Sequence, residues 1–457
     1  MGNEFPIAED VKPSLKDPIF NHLKVRQTLS SWIKDIQKIG FLYTNEIEVE
    51  EEDSDSEFDD DPDLIGDPYS EIEDDDIKEI EDGKERLKGQ CSVILKNGDI
   101  VSGRFQGTKL PPKRVGKGGG FTPSQSKTLS CIWGGIYDYN GRLSGYGKAQ
   151  LLDDTCLEGY FQEGYLHGLV RGRKVGRSNL VWIGRYYYGK PKGLCWKFTE
   201  GGGAIVGHVN ETDGSFTGDN IAYIYPDLLT CILGKFKNGV LIQGQASTIC
   251  GLSINASTRE LNEIYFNPVK PDAPIYSYWP SDLYSIPCPR LLRDPYETSI
   301  AFLAKSKISE FAGDGLFAFR DVTAGETVAF YNGLRIRIGE KPKVESDSYQ
   351  VYIDWDLAKI PKSDYMDIPP GYECSKKYQA SFGHKINHSF NPNCGWDTIQ
   401  HPCFGRIPKL VALTDISEGE EFTCHYRIDM EQANLIPSLE WYVNAWDEFT
   451  PPINDHD

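Results

Sequence analysis

The chain has 457 residues, enough for two to four domains and a sizeable core. Its formal net charge is −20, but that charge is local: residues 46–82 hold 21 Asp or Glu and one Lys, and everything else carries 47 acidic and 47 basic residues. A generally acidic or generally basic protein is therefore excluded, and partners are argued from one tract, not from the pI.

Eleven Cys lie scattered with no C-x-x-C or other close pair. No zinc cluster is expected, and reduced thiols in the cytosol or nucleus are. No signal peptide is recognised, and no apolar run reaches bilayer-spanning length. Met1-Gly2 does not read as a myristoylation site, because residue 6 is Pro where Ser or Thr is wanted.

Within residues 18–40, Leu29, Trp32, Ile33, Ile36 and Ile39 have helical spacing, and Gly40 suits a C-terminal cap. This helix is expected to dock on the body of the protein. The tract 46–82 is too charged to fold alone and reads as a disordered polyanion able to attract basic tails. Ser54 and Ser56 sit among its acids as possible phosphorylation sites.

Residues 98–251 contain 30 of the 45 Gly. Gly-x-aromatic recurs at Gly103, Gly135, Gly159, Gly184 and Gly234, with Gly207-His208-Val209 as a degenerate copy. Gly164, Gly189 and Gly239 follow five residues after their partners, and Asn140-Gly141 and Asn238-Gly239 are hairpin-turn dipeptides. Each unit reads as a β-hairpin burying one aromatic, and hairpins must stack to bury that face. The pattern resembles MORN repeats, about six of them. Thr108–Thr128, with Pro111-Pro112 and Gly118-Gly119-Gly120, reads as an inserted mobile loop.

Three motifs follow in one order. Phe311–Phe317 reads F-A-G-D-G-L-F, residues 383–394 read G-H-K-I-N-H-S-F-N-P-N-C, and Asp415–Tyr426 reads D-I-S-E-G-E-E-F-T-C-H-Y. The middle stretch is dense in Asn and His, cannot be a comfortable helix or strand, and is expected to be an irregular loop presenting polar groups. Together the motifs resemble the SET domain of lysine methyltransferases. With the preceding repeats, and with Pro226-Asp227 and Asp294-Pro295-Tyr296-Glu297, the chain is similar to the SET seven/nine type over about residues 90–450.

The expected architecture is mainly β: stacked MORN hairpins, then a SET-domain β fold with a C-terminal helix. The segments are an N-terminal helical segment (1–45), an acidic disordered tract (46–85), the hairpin array (86–253), a connecting segment (254–298), the SET domain (299–430), and a C-terminal helix and tail (431–457).

The resemblance implies transfer of a methyl group from S-adenosyl-L-methionine to the lysine amine of a histone tail or another protein. It assigns Ala312, Gly313, Asp314, His384, Lys385, Asn387, His388 and Trp441 to the cofactor. It assigns Tyr331, Trp396, Tyr426 and Ile428 to the lysine channel, with Tyr426, Tyr331 and His388 catalytic and no metal. The stretch Pro437–Phe449 is implied to be a helix whose Trp441, Tyr442 and Trp446 cover the pocket in place of a zinc-bearing segment. Trp396 stands where the family usually has a channel tyrosine, Ile428 where it has a second aromatic, and Ala445 where it commonly has an acid; a large and a small change that conserve volume imply a pocket that stops at monomethyl-lysine, whereas Trp396 turned into the channel implies an inactive protein. Residual alternatives are a catalytically impaired SET-fold binding module and a membrane adaptor working through the repeats. No direct nucleic-acid or membrane partner is expected, and the compartment implied is the nucleus, the cytoplasm or both.

Overall fold

The computed structural model describes residues 18–42, 89–94, 100–106, 113–122, 131–137, 142–150, 154–174, 179–255, 260–286, 289–340, 350–353, 364–428, 430–435 and 439–449. The acidic tract, Ser54, Ser56 and Asn140-Gly141 lie outside them. The chain forms two compact units. The first holds the chain up to Phe198 with Val206–Thr217 and Gly251–Ile264; the second holds Thr199–Ile205, Gly218–Cys250 and Tyr265 onwards. Among the described residues no helix is long and apolar enough to cross a membrane.

In the first unit, nine strands from Gly89–Ile94 to Lys190–Phe198 pair antiparallel in chain order. The repeat signature acquires a structural meaning here. The pairing register shifts just after the repeat glycine, between Gly103 and Arg104, Gly135 and Tyr137, Gly159 and Phe161, and Gly184 and Arg185. Gly-x-aromatic therefore marks a β-bulge, which re-aims the aromatic that follows. Phe161 is buried with Leu166 and Val170. The second glycines at 164 and 189 each close a two-residue turn. Glu163-Gly164 has φ of 54° and 88°, and Tyr188-Gly189 has 45° and 77°. Both residues of such a turn need φ > 0, so glycine is favoured at the second.

Two expectations are corrected in this unit. Lys113–Thr122, inside the expected loop, is a strand paired on both sides, with Gly118 opposite both Gly103 and Gly135. Its glycines join a ladder of repeat glycines, so they hold register and do not loosen the chain. The N-terminal helix spans Pro18–Leu42 and passes through Gly40, which caps nothing. It does dock: Val25, Leu29, Trp32 and Ile36 are buried, and Trp32 lies 5.7 Å from Trp196. Arg171 anchors it, donating to the carbonyls of Ile36 (3.0 Å) and Gln37 (2.6 Å) and to Glu158 (2.6 Å).

The second unit repeats the hairpin rule once, with Asn238-Gly239 at φ 52° and 79° joining Thr230–Lys237 to Val240–Ile254. Phe236, after its bulge, is buried. Beyond it come three small sheets. Ala301–Lys305 pairs with Asp314–Ala318. A five-stranded sheet runs in the order Thr327–Phe330, Gly405–Ala412, Cys394–His401, Thr423–Cys424, Asn387–His388. The third joins Leu334–Ile336, Tyr365–Asp367 and Val351–Tyr352. Within the stretch expected to be wholly irregular, Gly383–Lys385 is a 3-10 turn and Asn387–His388 is a short strand parallel to Thr423–Cys424. Glu440–Glu448 forms the last helix, shorter than expected, and Pro437 lies outside the described residues.

Candidate active site

The site lies in the second unit, where two chain segments cross. Asn387 pairs with Thr423 and His388 with Cys424 in parallel, an arrangement that no local turn can produce. Asn393 laces the crossing: its Oδ1 accepts from Thr423 N (2.8 Å) and its Nδ2 donates to Glu421 O (2.9 Å). Ser389 N donates to Cys424 O at 3.0 Å. The crossing thus uses the backbone groups that an isolated Asn-rich loop would leave to water.

Tyr426 emerges from this crossing half-buried. Its hydroxyl donates to Ile386 O at 2.7 Å, and its backbone N donates to His388 Nδ1 at 3.1 Å. That second bond makes Nδ1 an acceptor, so the proton of a neutral His388 sits on Nε2. Burial, with the His425 charge behind it, pushes the His388 imidazole down to about 4. Burial likewise pushes His384 down to about 3, with Lys385 adding to it. Both imidazoles are neutral at pH 7.

Tyr331 is buried and meets Trp396 edge-on at 5.7 Å. Trp396 also hydrogen-bonds the Cys424 side chain, whose thiol burial pushes well up. Ile428 is half-buried after Tyr426, and its backbone contacts the Tyr442 hydroxyl. Trp441 remains 47% exposed, with its ring 5.9 Å from His388 and 6.3 Å from Tyr426. Tyr442 is buried beneath it, and Trp446 packs on Phe390 at 5.1 Å.

The first motif supplies the other wall. Ala312 is half-buried and Gly313 exposed. Asp314 pairs with Lys305 at 2.8 Å, a bond that holds its carboxyl below the usual range, with Lys385 contributing from the turn. Asn387 Nδ2 lies 3.5 Å from Asp314 O and 2.9 Å from Glu421 Oε1. Contacts thus run from Asp314 through Asn387 and His388 to Tyr426 and Trp441. Tyr331 and Trp396 pair with each other and join this line at Cys424, the register partner of His388. Sequence reasoning assigned no role to Glu421 or Ser306. Glu421 stands in the quoted E-G-E-E-F motif, but only its partners reveal its work. Among the described residues no cluster of His, Cys, Asp or Glu is placed to hold a metal.

The family model of the SET domain matches residues 313–427, and that of the N-terminal region of the histone H3 K4-specific methyltransferase SET7 matches residues 186–258. The fold and the crossing define a SET-domain enzyme of the protein-lysine N-methyltransferase class. Histone-lysine N-methyltransferase SETD7 of Halocynthia roretzi is 36% identical over 273 residues, covering 58% of this chain and 67% of that protein. The chain belongs to the SETD7 family. A variant-silencing SET domain-containing protein of Plasmodium falciparum is 30% identical over 141 residues, 29% of this chain and 5% of that one. A chain of the Chaetomium thermophilum polycomb repressive complex 2 overlays 28% of this chain and 15% of its own length, at 23% identity and a TM-score of 0.21.

Proposed function

We propose that the chain transfers one methyl group from S-adenosylmethionine to the side-chain amine of a lysine in a histone tail or another protein, in the nucleus, the cytoplasm or both. The observation that carries this reading is the Tyr426 hydroxyl, fixed by Ile386 O at the strand crossing beside a neutral His388.

The residues present fit such a cofactor. Gly313 has φ +74° and nothing within 4 Å of the place a Cβ would take, which leaves its backbone open to close approach. The exposed Trp441 indole offers a face for a flat heterocycle. Asp314 and the Asn387 amide supply acceptors for a cationic group. When bound, the cofactor supplies an electrophilic methyl on a sulfonium cation.

The chain's own residues then align and desolvate the amine. Lysine must be neutral to attack, against an ordinary pKa of about 10.4. His384 and His388 are neutral, so neither adds a positive charge to the site. Burial beside the Tyr331–Trp396 pair favours the free amine, whose proton leaves to solvent. The Tyr426 hydroxyl spends its proton on Ile386 O, so toward the amine or the methyl hydrogens its oxygen acts as an acceptor. Trp396 is held from two sides, by Tyr331 and Cys424, and is too bulky to swing aside for a larger amine. A channel of fixed width stops at monomethyl-lysine.

The test is a methylation assay on histones and cell extract, read by mass spectrometry at long reaction times. A single added methyl is expected. Abundant di- or trimethyl-lysine sinks the monomethyl reading, and no product on any substrate sinks the activity itself. The tract 46–82, at −20, is proposed to raise encounter with basic tails. Deleting it is expected to flatten the salt dependence of KM for a basic peptide; an unchanged slope makes it a linker.

A further inference from the structure

Gly313 and Gly315 stand two residues apart in one motif, and the structure gives them different jobs. Gly315 is not among the residues with positive φ. A Cβ on it would stand 2.3 Å from Glu421 Oε1, 2.9 Å from Glu421 Cδ and 3.1 Å from Asn387 Nδ2. Real atoms do not approach so closely, so the missing side chain is the space that the Glu421–Asn387 hydrogen bond occupies.

Glu421 uses both carboxylate oxygens. Oε1 accepts from Ser306 Oγ (2.8 Å) and Asn387 Nδ2 (2.9 Å), and Oε2 accepts from Lys307 N (2.7 Å). Three segments distant in sequence converge on one charge. An ionised acceptor makes these bonds stronger than neutral ones. The second Asn387 amide proton is directed at Asp314 O, at 3.5 Å. With its NH₂ engaged on the protein, the amide has one group left for a ligand, the Oδ1 acceptor. Flipping the amide would set Oδ1 against the carboxylate, which repels it.

We infer that Glu421 is a positioning residue for cofactor binding: seated over Gly315, it locks the Asn387 amide with Oδ1 outward, so the pocket selects a cationic or hydrogen-donating group at that point. The inference rests on the cofactor reading above.

Glu421→Gln tests it. If the new amide oxygen serves Asn387 and Ser306, its NH₂ meets Lys307 N–H, donor against donor. If it turns over, its NH₂ meets the Asn387 NH₂. Either way the lock is lost. Calorimetric titration with S-adenosylmethionine should give a Kd about tenfold higher, equivalent to about 1.4 kcal/mol. The kcat at saturating cofactor should stay within about twofold, because Glu421 acts on binding geometry and not on the transferred group. In an Asn387→Ala background the Glu421→Gln change should add nothing to Kd, whereas a merely structural Glu421 would weaken binding equally in both backgrounds. Should Glu421→Gln not fold, Gly315→Ala displaces the same carboxylate and is expected to raise Kd alike. Unchanged Kd in the folded variant, or equal losses in both backgrounds, overturns the inference while the cofactor reading stands. A wild-type chain that binds no S-adenosylmethionine overturns both.

Discussion

Arg171 in the first unit and Glu297 in the second are both buried, at 8% and 0% exposure, and they are treated in opposite ways. The Arg171 guanidinium is met by Glu158 and by the carbonyls of Ile36 and Gln37. Among the described residues no cation pairs with Glu297. Its Oε1 accepts from Phe330 N (2.6 Å) and Phe382 N (3.0 Å), and burial, reinforced by Asp294, pushes its carboxyl well up. His384 and His388 follow the same rule, driven neutral by burial. In the first unit buried charge is a fastener between helix and hairpins. In the second, the buried groups Glu297, His384 and His388 are stripped of charge, while the carboxylates that stay charged, Asp314 and Glu421, are less deeply buried.

The largest effect is expected where chemistry and stability separate most cleanly. Tyr426→Phe removes one hydroxyl bonded to Ile386 O. Methyl transfer should fall about 10²–10³-fold, the size seen when a preorganised polar group is removed from a reacting centre. Stability should fall by only about 1 kcal/mol, the worth of one hydrogen bond. Turnover that survives unchanged would remove Tyr426 from the mechanism.

Arg171→Met is the mirror image. It leaves the half-buried Glu158 with Lys148 alone, 3.6 Å away, and takes the charged donor from the Ile36 and Gln37 carbonyls; losing such charged hydrogen bonds costs about 1.5–3 kcal/mol. Denaturation should show that loss, and hydrogen exchange should show residues 18–42 opening first, while methyl transfer per folded molecule is retained. Equal protection of the helix in the variant would mean that Leu29 and Trp32 hold it without the arginine.

These two sites also mark how far the sequence could be read. The hairpin array was legible because its signal is local and periodic: Gly159 and Gly164, or Gly184 and Gly189, reappear at fixed spacing. The docked helix was legible in Leu29, Trp32 and Ile36 for the same reason. Arg171 was not, because nothing near it in the chain announces a helix more than 130 residues away. The strand at Lys113–Thr122 was misread because its glycines imitate a flexible loop. They are in fact rungs whose meaning lies in Gly103 and Gly135 across the sheet. In the second unit the motifs located Asn387, His388 and Tyr426. The carboxylate that gathers Ser306, Lys307 and Asn387 depends on a crossing of distant strands, which no spacing encodes.

Acid should separate the units. In the first, the displaced groups are phenols and thiols such as Tyr186 and Cys195, raised above their usual values, together with the exposed Asp213. None of the phenols or thiols titrates near pH 5. In the second, His384 and His388 are depressed, so their contribution is complete above the unfolded value near 6.5 and is lost as pH falls toward about 3 and about 4. Each accounts for about 1.4 kcal/mol per pH unit within its window. Denaturation from pH 7 to 4.5, followed by hydrogen exchange, should show the second unit weakening first. A first unit that fails first would break the comparison.

Glu297 gives the most diagnostic effect, because its sign is opposite. Its folded carboxyl is raised, so its contribution is complete below the unfolded value of about 4.5 and is lost as pH climbs from there toward the folded value. At pH 8 the wild type either carries a proton that the unfolded chain has shed or holds a buried charge without a cation. Glu297→Gln removes that burden. Its amide oxygen can still accept from Phe330 N and Phe382 N. Its NH₂ falls where Oε2 now lies without a partner, and the acid's own O–H is equally unpaired there, so this penalty nearly cancels between the two. The variant should therefore match the wild type near pH 4.5 and be the more stable at pH 8. The gap should open by about 1.4 kcal/mol per pH unit until the folded pKa is reached. In this background the opposing histidine slope below pH 6.5 should also steepen, since nothing offsets it. Stability curves that run parallel from pH 4.5 to 8 would mean that Glu297 is ionised in the folded chain, and that its two backbone donors suffice to hold a buried carboxylate.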